Sequence, residues 1–454
     1  MKLDNKEFGF DNFSAEMAKL KNDQHFDYLV TIVGEDFGEE GLGCIYILEN
    51  TKNHERISVK QIAKKVGETD YVIPSVIKLW HDADLLEREV FDFLGIKFLG
   101  HPDMRRLFLR NDFEGYPLRK DFDMSPEHNR FPMTDEPESD WTSEWNLNQF
   151  GELVETKHRL FDTDDFVMNF GPNHPSMHGV LRLQTVVNGE TVKRIYPHLG
   201  YIHRGIEKMM ENMTYPQTLA LTDRLNYLCA MTNRHALVGV IEEAMGVELS
   251  DRIKYIRTIM DELQRIDNHL LFLGTCAQDL SALTAFLYCM RDREHVLNVM
   301  EETTGGRLIQ NYYRIGGLQA DIDPNFVANT KALCKYLEPM VQEYLDVFGD
   351  NVITHQRLEG VGPMNEPDCI NYGVTGPAGR ASGWHNDVRK NHPYALYDKV
   401  DFDEITGTDG DSMTRYMIHI KEIYQSLRII NQLIDNIPEG DFYIKQKPII
   451  KVPE

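Results

Sequence analysis

The feature that most constrains this chain is a long stretch without hydrophobic periodicity in its first third. From Asp123 to about Asp165 the sequence is rich in proline, serine and acidic residues, and it begins DMSPEHNRFPMTDEPESDWTSEWN. A stretch of roughly 40 residues is too long for an ordinary loop inside a compact domain and is typical of an extended connector. At 454 residues the chain is also too long for one hydrophobic core. We therefore predict a first domain over 1–122, an extended linker over 123–165 and a second domain over 166–454.

The first domain alternates short strand and helix signals, which predicts a small α+β domain. Residues 25–36 and 43–50 are rich in β-branched and aromatic side chains and are bounded by Gly, Asp and Asn, so they predict paired strands. The run from Ile57 predicts a third strand that enters a helix. The segment from Pro74 to Trp80 predicts an edge strand followed by a helix.

The second domain is predicted to begin with a small sheet. The segments DFVMNFG and GVLRLQTVVNGETVKRIYP read as strands, and Asn188-Gly189 is a hairpin turn signal. Further along, Ser250 predicts the N-cap of a helix whose apolar residues recur at spacings of three and four.

The rest of the second domain is predicted to be mainly helical. A long helix should run from near Ser412 to a stop at Pro438. Another helix, near 326–348, contains Pro339, which should kink or break it. The expected fold class is therefore α+β, with a helical bundle entered through a small sheet.

Charge and composition exclude several classes of function. The formal net charge of −24 argues against a nucleic-acid partner, because phosphate binding needs a basic field, and against direct adhesion to anionic lipid. No run of about 18 apolar residues is present, so no segment is expected to span a bilayer. The N-terminal residues do not read as a secretory signal, so a cytoplasmic location or a cytoplasmic membrane face is expected. The six cysteines are scattered without a CxxC pair, which suits neither a zinc site nor an iron–sulfur cluster held by this chain alone.

Two histidines four residues apart stand in the segment GPNHPSMHG, residues 171–179. The flanking glycines and prolines predict a loop between strands rather than a helix. His174 and His178 could be half of a zinc site, although no HExxH motif or cysteine pair accompanies them. They could instead satisfy loop carbonyl groups, or donate a proton or a hydrogen bond to a ligand, which suits a side chain that titrates near neutral pH.

A second candidate segment runs from His198 to Met231 and begins HLGYIHRGIEK. Composition alone predicts a basic and polar patch that leads into a helix and that would usually be a solvated face. Tyr227, on an apolar stretch of this segment, would usually be a core tyrosine with its hydroxyl hydrogen-bonded.

Several motifs of the second domain, in order along the chain, resemble the D subunit of respiratory complex I. These motifs are GPNHPSMHGVLRL, HLGYIHRGIEK, DRLNY, DLSALTAFLYCMRDRE, GGRLIQNYYRIGG, GVTGPAGRASG and GDSMTRYMIHIKEIYQSLRIINQ. Upstream, EREVFDFLGIKFLGHPDMRRLFLRNDFEGYPLRKDF over 87–122 resembles the C subunit. The chain is thus identified as a member of the fused C and D subunits of bacterial NADH:quinone oxidoreductase, whose C-like part implies a docking surface and no chemistry.

The resemblance implies a quinone-reducing role. In this family the D subunit and a cluster-bearing B subunit enclose a chamber for the quinone headgroup, and quinone reduction is coupled to proton translocation. His178 and Tyr227 would donate hydrogen bonds to the two quinone carbonyls, and Asp279 would be the acid that pairs with His178. Further chamber or supporting candidates are His174, Arg204, Asn226 and Ser281.

The resemblance also implies partners, cofactors and a location. The second domain should resemble the large subunit of [NiFe] hydrogenases. The substrate would be a quinone, menaquinone or ubiquinone, while an adjacent [4Fe–4S] cluster belongs to the B subunit and no metal or flavin is bound by this chain. Other expected neighbours are the ferredoxin-like I subunit with two such clusters and the H subunit, which is the membrane subunit at the quinone site. The expected place is peripheral, on the cytoplasmic face of the bacterial cell membrane.

The sequence departs from the family pattern in three places. Ile309, followed by Gln310, stands where many D subunits have a histidine near the terminal cluster, which hints at a lower and less pH-dependent cluster potential and so at menaquinone. Asn226 in DRLNY stands where an aspartate is usual. The chain ends at IIKVPE, and it is expected to lack the family's C-terminal segment.

Two other readings remain open on the sequence. The chain could be the large subunit of a related membrane-bound hydrogenase, or of a complex that takes electrons from ferredoxin or reduced F420. A hydrogenase needs two CxxC pairs, and the first would fall at 226–229, where only Cys229 is a cysteine. The chain could also be a docking scaffold without quinone chemistry, which the presence of His178, Tyr227 and Asp279 disfavours.

Overall fold

The protein has the predicted α+β fold class, with 44% of the chain helical and 18% in strands. The structure is a computed structural model that describes residues 4–125, 140–162 and 164–444. The chain divides into two compact units: Met1–Glu211 with Ile370–Val374, and Asn212–Cys369 with Thr375–Glu454. The first unit thus extends past the predicted linker, while the domain bounds at 122 and 165 stay a prediction.

The first unit begins with a four-stranded sheet in the order β1-β4-β3-β2. The predicted pairing of the first two long strands is confirmed, since β2 and β3 are antiparallel. Helix α1 presents Phe13, Met17 and Leu20, at spacings of four and three, to the core of this unit, where they are buried. The strands and helix are β1 (Asp4–Glu7), α1 (Phe13–Asn22), β2 (Tyr28–Asp36), β3 (Leu42–Glu49) and β4 (Arg56–Ile62).

The next sheet has five strands in the order β5-β6-β7-β8-β9. The prediction that the strand from Ile57 enters a helix is wrong, because the chain continues from β4 directly into the short strand β5. The predicted edge strand ends at Pro74, and the helix after it begins at Ala83. The elements are β5 (Lys64–Val66), β6 (Asp70–Pro74), α2 (Ala83–Leu94), β7 (Ile96–Leu99), β8 (Trp141–Leu147) and β9 (Leu153–Arg159).

Strands β8 and β9 lie within the stretch predicted as an extended linker, so over these residues the structure differs from the prediction. They form an antiparallel hairpin whose turn is closed by Asn148, which accepts hydrogen bonds on its side chain from the backbone N–H groups of Phe150 and Glu152. The hairpin joins the sheet through the parallel pairing of Leu99 with Trp145. Because β9 is almost wholly exposed, its polar sequence carries no hydrophobic alternation. Residues 126–139 of the predicted linker lie outside the described residues.

A three-stranded antiparallel sheet, β10-β11-β12, completes the first unit, as the sequence predicted. Strands β11 and β12 are joined at Asn188 and Gly189, and Gly189 has a positive φ of 62°, which the hairpin turn signal anticipates. One face packs on Leu160 and Phe161 through Val186. The strands are β10 (Phe166–Phe170), β11 (Arg182–Asn188) and β12 (Thr191–His198), and helix α3 (Ile206–Glu211) follows.

The second unit is mainly helical, as predicted, and its core lies around two long helices, α6 and α13. Ser250 caps α6, because its hydroxyl accepts a hydrogen bond from the Ile253 N–H at 3.3 Å. The elements are α4 (Tyr215–Thr222), α5 (Ala230–Met245), α6 (Asp251–Asp279), α7 (Leu283–Thr304), β13 (Tyr313–Arg314), β14 (Gly317–Leu318), α8 (Phe326–Tyr344), α9 (Val352–Leu358), α10 (Glu366–Asn371), α11 (Gly376–Ala381), α12 (Val388–Asn391) and α13 (Ser412–Leu433).

Helix α8 continues through Pro339, so the expected break at this residue is wrong. The helix ends only at Tyr344 and leads into a π-helical turn, Leu345–Gly349. Apolar residues on both sides of the proline, Leu337 and Val341, are fully buried in the core of the second unit. Packing of this apolar face therefore offsets the hydrogen bond that the proline removes.

Candidate functional site

The loop that carries His174 and His178 joins β10 to β11, which confirms that it is a loop between strands. Its two ends lie against each other at Gly171, where a Cβ atom would stand 1.8 Å from the Leu181 carbonyl oxygen and where φ is +86°. Only glycine fits such a position. A short 3-10 turn, Pro175–Met177, separates the two histidines.

Both histidines of this loop are exposed. His174 lies edge-on to Phe170, with 6.0 Å between ring centroids, and its carbonyl accepts a hydrogen bond from the Met177 N–H. His178 has a left-handed backbone conformation, with φ at +48°. Because the ends of the loop are held together at Gly171, the imidazole of His178 is presented outward from a constrained turn rather than packed into the sheet.

Arg204 follows a 3-10 turn, Gly200–Ile202, in the same unit. The preceding residue, His203, stacks on Phe93 with 5.0 Å between ring centroids. Gly200 lies so close to the Phe108 carbonyl that a Cβ atom would stand 1.8 Å from its oxygen. The segment is thus fixed by packing on both sides of the turn, and Arg204 itself is exposed.

Tyr227 lies in the loop between α4 and α5 of the second unit, and it is not a core residue. Its side chain is 54% exposed. The loop turns at Asn226, whose side-chain oxygen accepts a hydrogen bond from the Leu228 N–H at 3.0 Å. An asparagine makes this turn without a charge, so the departure from the family's aspartate preserves the local hydrogen bond.

The Tyr227 loop is anchored by a buried ion pair at its start. Asp223 is fully buried and accepts hydrogen bonds from Arg234 Nη1 at 2.9 Å and from the Asn311 N–H at 2.7 Å. Arg234 also donates to the carbonyls of Leu219 and Tyr313. A phenol that is exposed on so firmly held a loop is available to a ligand or a partner.

Asp279 is the last residue of α6, and Ser281 makes the turn into α7. Both are exposed, and Ser281 has a positive φ of 66°. Burial, together with the charge of Asp279, raises the pKa of the Cys276 thiol to about 11. A carboxylate at the C-terminal end of a helix faces the negative end of the helix dipole, so a cationic partner would stabilise it.

The predicted residues are divided between the two compact units. His174, His178 and Arg204 belong to the first unit, and the other four candidates belong to the second. Within the second unit, Leu228 accepts a hydrogen bond from Asn268 of α6 at 3.5 Å. Asn268 and Asp279 are about 16 Å apart along the helix axis, at about 1.5 Å per residue. A shared chamber for all these side chains therefore remains a prediction.

The residues near the proposed cluster-facing position show what replaces the family's histidine. Gln310 is buried, and its Nε2 donates a hydrogen bond to the Arg307 carbonyl at 3.0 Å. Its Oε1 is buried without a hydrogen-bond partner among the described residues. Ile309 beside it is partly buried. An amide thus fills this place without a titratable group.

The sequence analysis missed a band of buried ionisable side chains between α6 and α13. Glu262 of α6 is fully buried and accepts hydrogen bonds from Tyr397 at 2.6 Å and Ser426 at 2.6 Å. Nearby cations, Arg265 and Arg389, outweigh the effect of burial and lower the pKa of Glu262 to about 2.

The same band continues one turn further along both helices. Glu422 of α13 bonds to Arg380 and lies 3.0 Å from His269 Nε2, and His269 Nδ1 lies 2.8 Å from His419 Nδ1. Burial, and then the charge of His269, lowers the pKa of His419 to about 3. The signal in the sequence was the recurrence of ionisable residues at helical spacing within an apolar helix.

The described residues provide no metal site and no helix for a membrane span. No group of three or more His, Cys, Asp or Glu side chains in the described ranges could hold a metal ion. All six cysteines are free thiols. Cys229 donates to Asn233 at 3.6 Å, and burial raises its pKa. Within the same ranges, no helix is both long enough and apolar enough to cross a bilayer.

Comparison with known proteins identifies both parts of the chain. A family model described as the 30 Kd subunit of respiratory-chain NADH dehydrogenase matches residues 10–128, and one described as its 49 Kd subunit matches residues 279–454. A Phocaeicola vulgatus protein, named as the C/D subunit of NADH-quinone oxidoreductase, is 55% identical over 439 residues, covering 97% of this chain and 84% of that protein. The protein of that name from Bacteroides fragilis is 54% identical over 450 residues, with the same coverage. A more distant relative, which has that name with the numeral 2 in Aquifex aeolicus, is 38% identical over 455 residues, covering 96% of this chain and 76% of the relative.

The two matches define a respiratory-chain dehydrogenase component in which a 30 Kd-type part and a 49 Kd-type part share one polypeptide. This chain belongs to the family of C/D subunits of NADH-quinone oxidoreductase, and it is a peripheral-arm component of that enzyme complex in the electron-transport chain. The fused C and D identity predicted from the sequence is confirmed.

The docking surface expected at ERE over 87–89 and at GHPDMRR is largely interior. Glu87 and His101 are fully buried, and Arg88 is 6% exposed. Glu87 accepts hydrogen bonds from the Ser75 hydroxyl and the Val76 N–H, and Arg88 donates to backbone carbonyls. These charged residues thus hold the first unit together, which their sequence pattern did not reveal.

Proposed function

We propose that this chain forms one wall of the chamber in which the oxidoreductase reduces quinone, and that the cluster-bearing B subunit forms the other wall. The observation that carries the proposal is Tyr227, a phenol that is 54% exposed on a loop anchored by the buried Asp223–Arg234 pair. A tyrosine with only a structural role would have its ring in the core. The exposed His178, on a loop closed at Gly171, supports the same reading.

The chemistry follows from the two donors and one acid. Reduction of a quinone to a quinol takes two electrons and two protons, one proton for each carbonyl oxygen. The electrons arrive from the [4Fe–4S] cluster of the B subunit. Tyr227 donates a hydrogen bond to one oxygen and His178 to the other, and each then gives up its proton. Asp279 would pair with the imidazolium form of His178 and hold its orientation.

Proton loss from this set changes its charge by one unit for each proton. In a chamber of low dielectric such a change is worth several kcal/mol. We propose that this change drives the shift that couples quinone reduction to ion pumping. His174, Arg204, Asn226 and Ser281 would line or support the chamber, and menaquinone is the favoured quinone because Gln310 replaces a titratable histidine.

The proposal includes the surroundings of the chain. The second part would share the fold of [NiFe]-hydrogenase large subunits, but Cys229 is a protonated thiol rather than a metal ligand. Besides B, the neighbours would be the I subunit and the membrane-embedded H subunit, at the cytoplasmic face of the cell membrane. The hydrogenase and scaffold alternatives have no observation in their favour.

The test uses the assembled complex with Tyr227→Phe and His178→Gln. Each variant should lower NADH:quinone reductase activity at least tenfold, while NADH:hexacyanoferrate activity, which bypasses the quinone site, stays unchanged. Tyr215→Phe is a matched control, because Tyr215 is also 54% exposed and lies outside the candidate site. Normal quinone reductase activity in Tyr227→Phe and His178→Gln would refute the assignment.

A further inference from the structure

An open strand edge in the first unit has features of a docking site. Strand β2 is the outermost strand in the order β1-β4-β3-β2, and it pairs with β3 from Tyr28 to Asp36. On its other side, it pairs with no strand among the described residues. The N–H and C=O groups of such an edge are a template for another extended chain. We propose that this edge binds an extended segment of another subunit, rich in lysine or arginine, as an additional strand.

A groove of about 410 Å³ lies along this edge. Six consecutive residues of β2, Thr31–Asp36, line one side of it. Helix α2 packs so closely on the strand that a Cβ atom at Gly34 would stand 2.6 Å from Leu94 and 2.9 Å from Val90. The helix therefore covers one face of β2, and the hydrogen-bonding edge remains as the open side of the groove.

The wall opposite the strand is apolar. It consists of Val90, Phe93 and Leu94 of α2 together with Leu118. Side chains of an added strand alternate between the two faces of the sheet, so every second side chain would face this wall. Six paired residues would extend over about 20 Å, at about 3.3 Å per residue. An occupant with apolar residues at alternate positions would fit the groove.

The rim of the groove is acidic, which defines the charge of the occupant. Five carboxylates line it against one lysine, Lys120, and that lysine is already bonded to Glu211. Burial, followed by the negative charges of Glu207 and Asp92, raises the pKa of Glu89. A cationic side chain between Glu89 and Glu207 would relieve this repulsion. The five carboxylates belong to Glu35, Asp36, Glu89, Glu207 and Glu211.

Charge also disfavours the chain's own segment as the occupant. Residues 126–139 contain four acidic residues and one arginine, so they would add negative charge to the rim. Their three prolines cannot donate the hydrogen bonds of a strand. A basic segment of a neighbouring subunit has neither disadvantage. The proposal is independent of the quinone chemistry, because it concerns assembly alone.

Amide hydrogen exchange of the full chain tests the proposal. The probe is a blocked octapeptide of alternating lysine and valine, with a glutamate–valine octapeptide as the control. We expect the lysine peptide to bind, to slow exchange at alternate amides of residues 31–36, and to lose affinity at least tenfold in the double variant Glu89→Lys/Glu207→Lys. The double variant Glu68→Lys/Glu190→Lys makes the same charge change at exposed positions away from the groove, and it should retain binding.

A second measurement compares the isolated chain with the assembled oxidoreductase. Amides of residues 31–36 should exchange at least tenfold more slowly in the complex. Equal binding of both peptides, or binding without protection of residues 31–36, would overturn the proposal. So would amides that already exchange as slowly as those of β3 in the isolated chain, since the chain would then cover its own edge. Equal exchange in the complex and the isolated chain would also count against it.

Discussion

Replacement of Asp223 by alanine should weaken the loop that carries Tyr227. Asp223 is fully buried and is the counter-ion of Arg234, at 2.9 Å. It also accepts the N–H of Asn311, at 2.7 Å, and so joins two loops. In the variant, Arg234 keeps the carbonyl groups of Leu219 and Tyr313 but has lost its only anionic hydrogen-bond partner among the described residues.

The size of the effect follows from this burial. Removing one partner of a buried pair leaves an uncompensated charge and costs about 3–5 kcal/mol. A tenfold change in an equilibrium constant corresponds to about 1.4 kcal/mol. Amides of the Asp223–Cys229 loop and of α5 should therefore exchange about two to three and a half orders of magnitude faster. Asp223→Asn keeps an acceptor for Asn311 but not the charge, and it should give a smaller effect.

Native-state hydrogen exchange is the suitable assay, because a chain with two compact units need not unfold in one step. The control is Asp321→Ala, which removes a surface partner of Arg252, 41% exposed in its side chain, and should cost less than about 1 kcal/mol. In the assembled complex, Asp223→Ala should also lower quinone reductase activity while hexacyanoferrate reductase activity is retained. An exchange rate in Asp223→Ala no faster than in Asp321→Ala would refute the reasoning.

Three further predictions concern the His178 loop and two buried titrating groups. Gly171→Ala should lower quinone reductase activity at least tenfold, because its Cβ would collide with a backbone oxygen, whereas Gly179→Ala, with open space around it, should not; equal activities would contradict this. Burial lowers the pKa of His419 to about 3, so the folded chain binds fewer protons than the unfolded chain, and stability should fall as the pH drops from about 6.5 to 3; His419→Gln should flatten this slope in urea unfolding. Burial raises the pKa of Glu87 to about 8, so stability should fall as the pH rises from about 4.5 to 8; Glu87→Gln should remove that decline, and an unchanged slope would contradict it.

Secondary structure was predictable where a local signal was strong. The Ser250 cap and the Asn188-Gly189 turn act through bonds between near neighbours, so both could be read from a few residues. The hairpin β8–β9 was missed because β9 is exposed on both faces and has no apolar alternation. Pro339 was misjudged because the packing of α8 is a long-range effect that no local pattern contains.

The candidate site was predictable in its residues but not in its setting. Motif resemblance selected His178, Tyr227 and Asp279, and the structure gives each of them an exposed place on a loop or at a helix end. The anchor of the tyrosine loop was not visible, because Asp223 meets Arg234 one helix later and the Asn311 backbone far along the chain. A contact between distant residues leaves no spacing in the sequence.

The sequence by itself determined the family, the fused C and D organisation and most elements, because these depend on ordered motifs and local periodicity. The tertiary structure decided which charged residues are interior. Glu87 and Arg88 read as a charged surface but are buried, and Glu262 reads as one acid in a helix but is enclosed by cations and hydroxyl groups. The physical reason is that the state of a charge depends on its surroundings, and distant parts of the chain supply those surroundings only after folding.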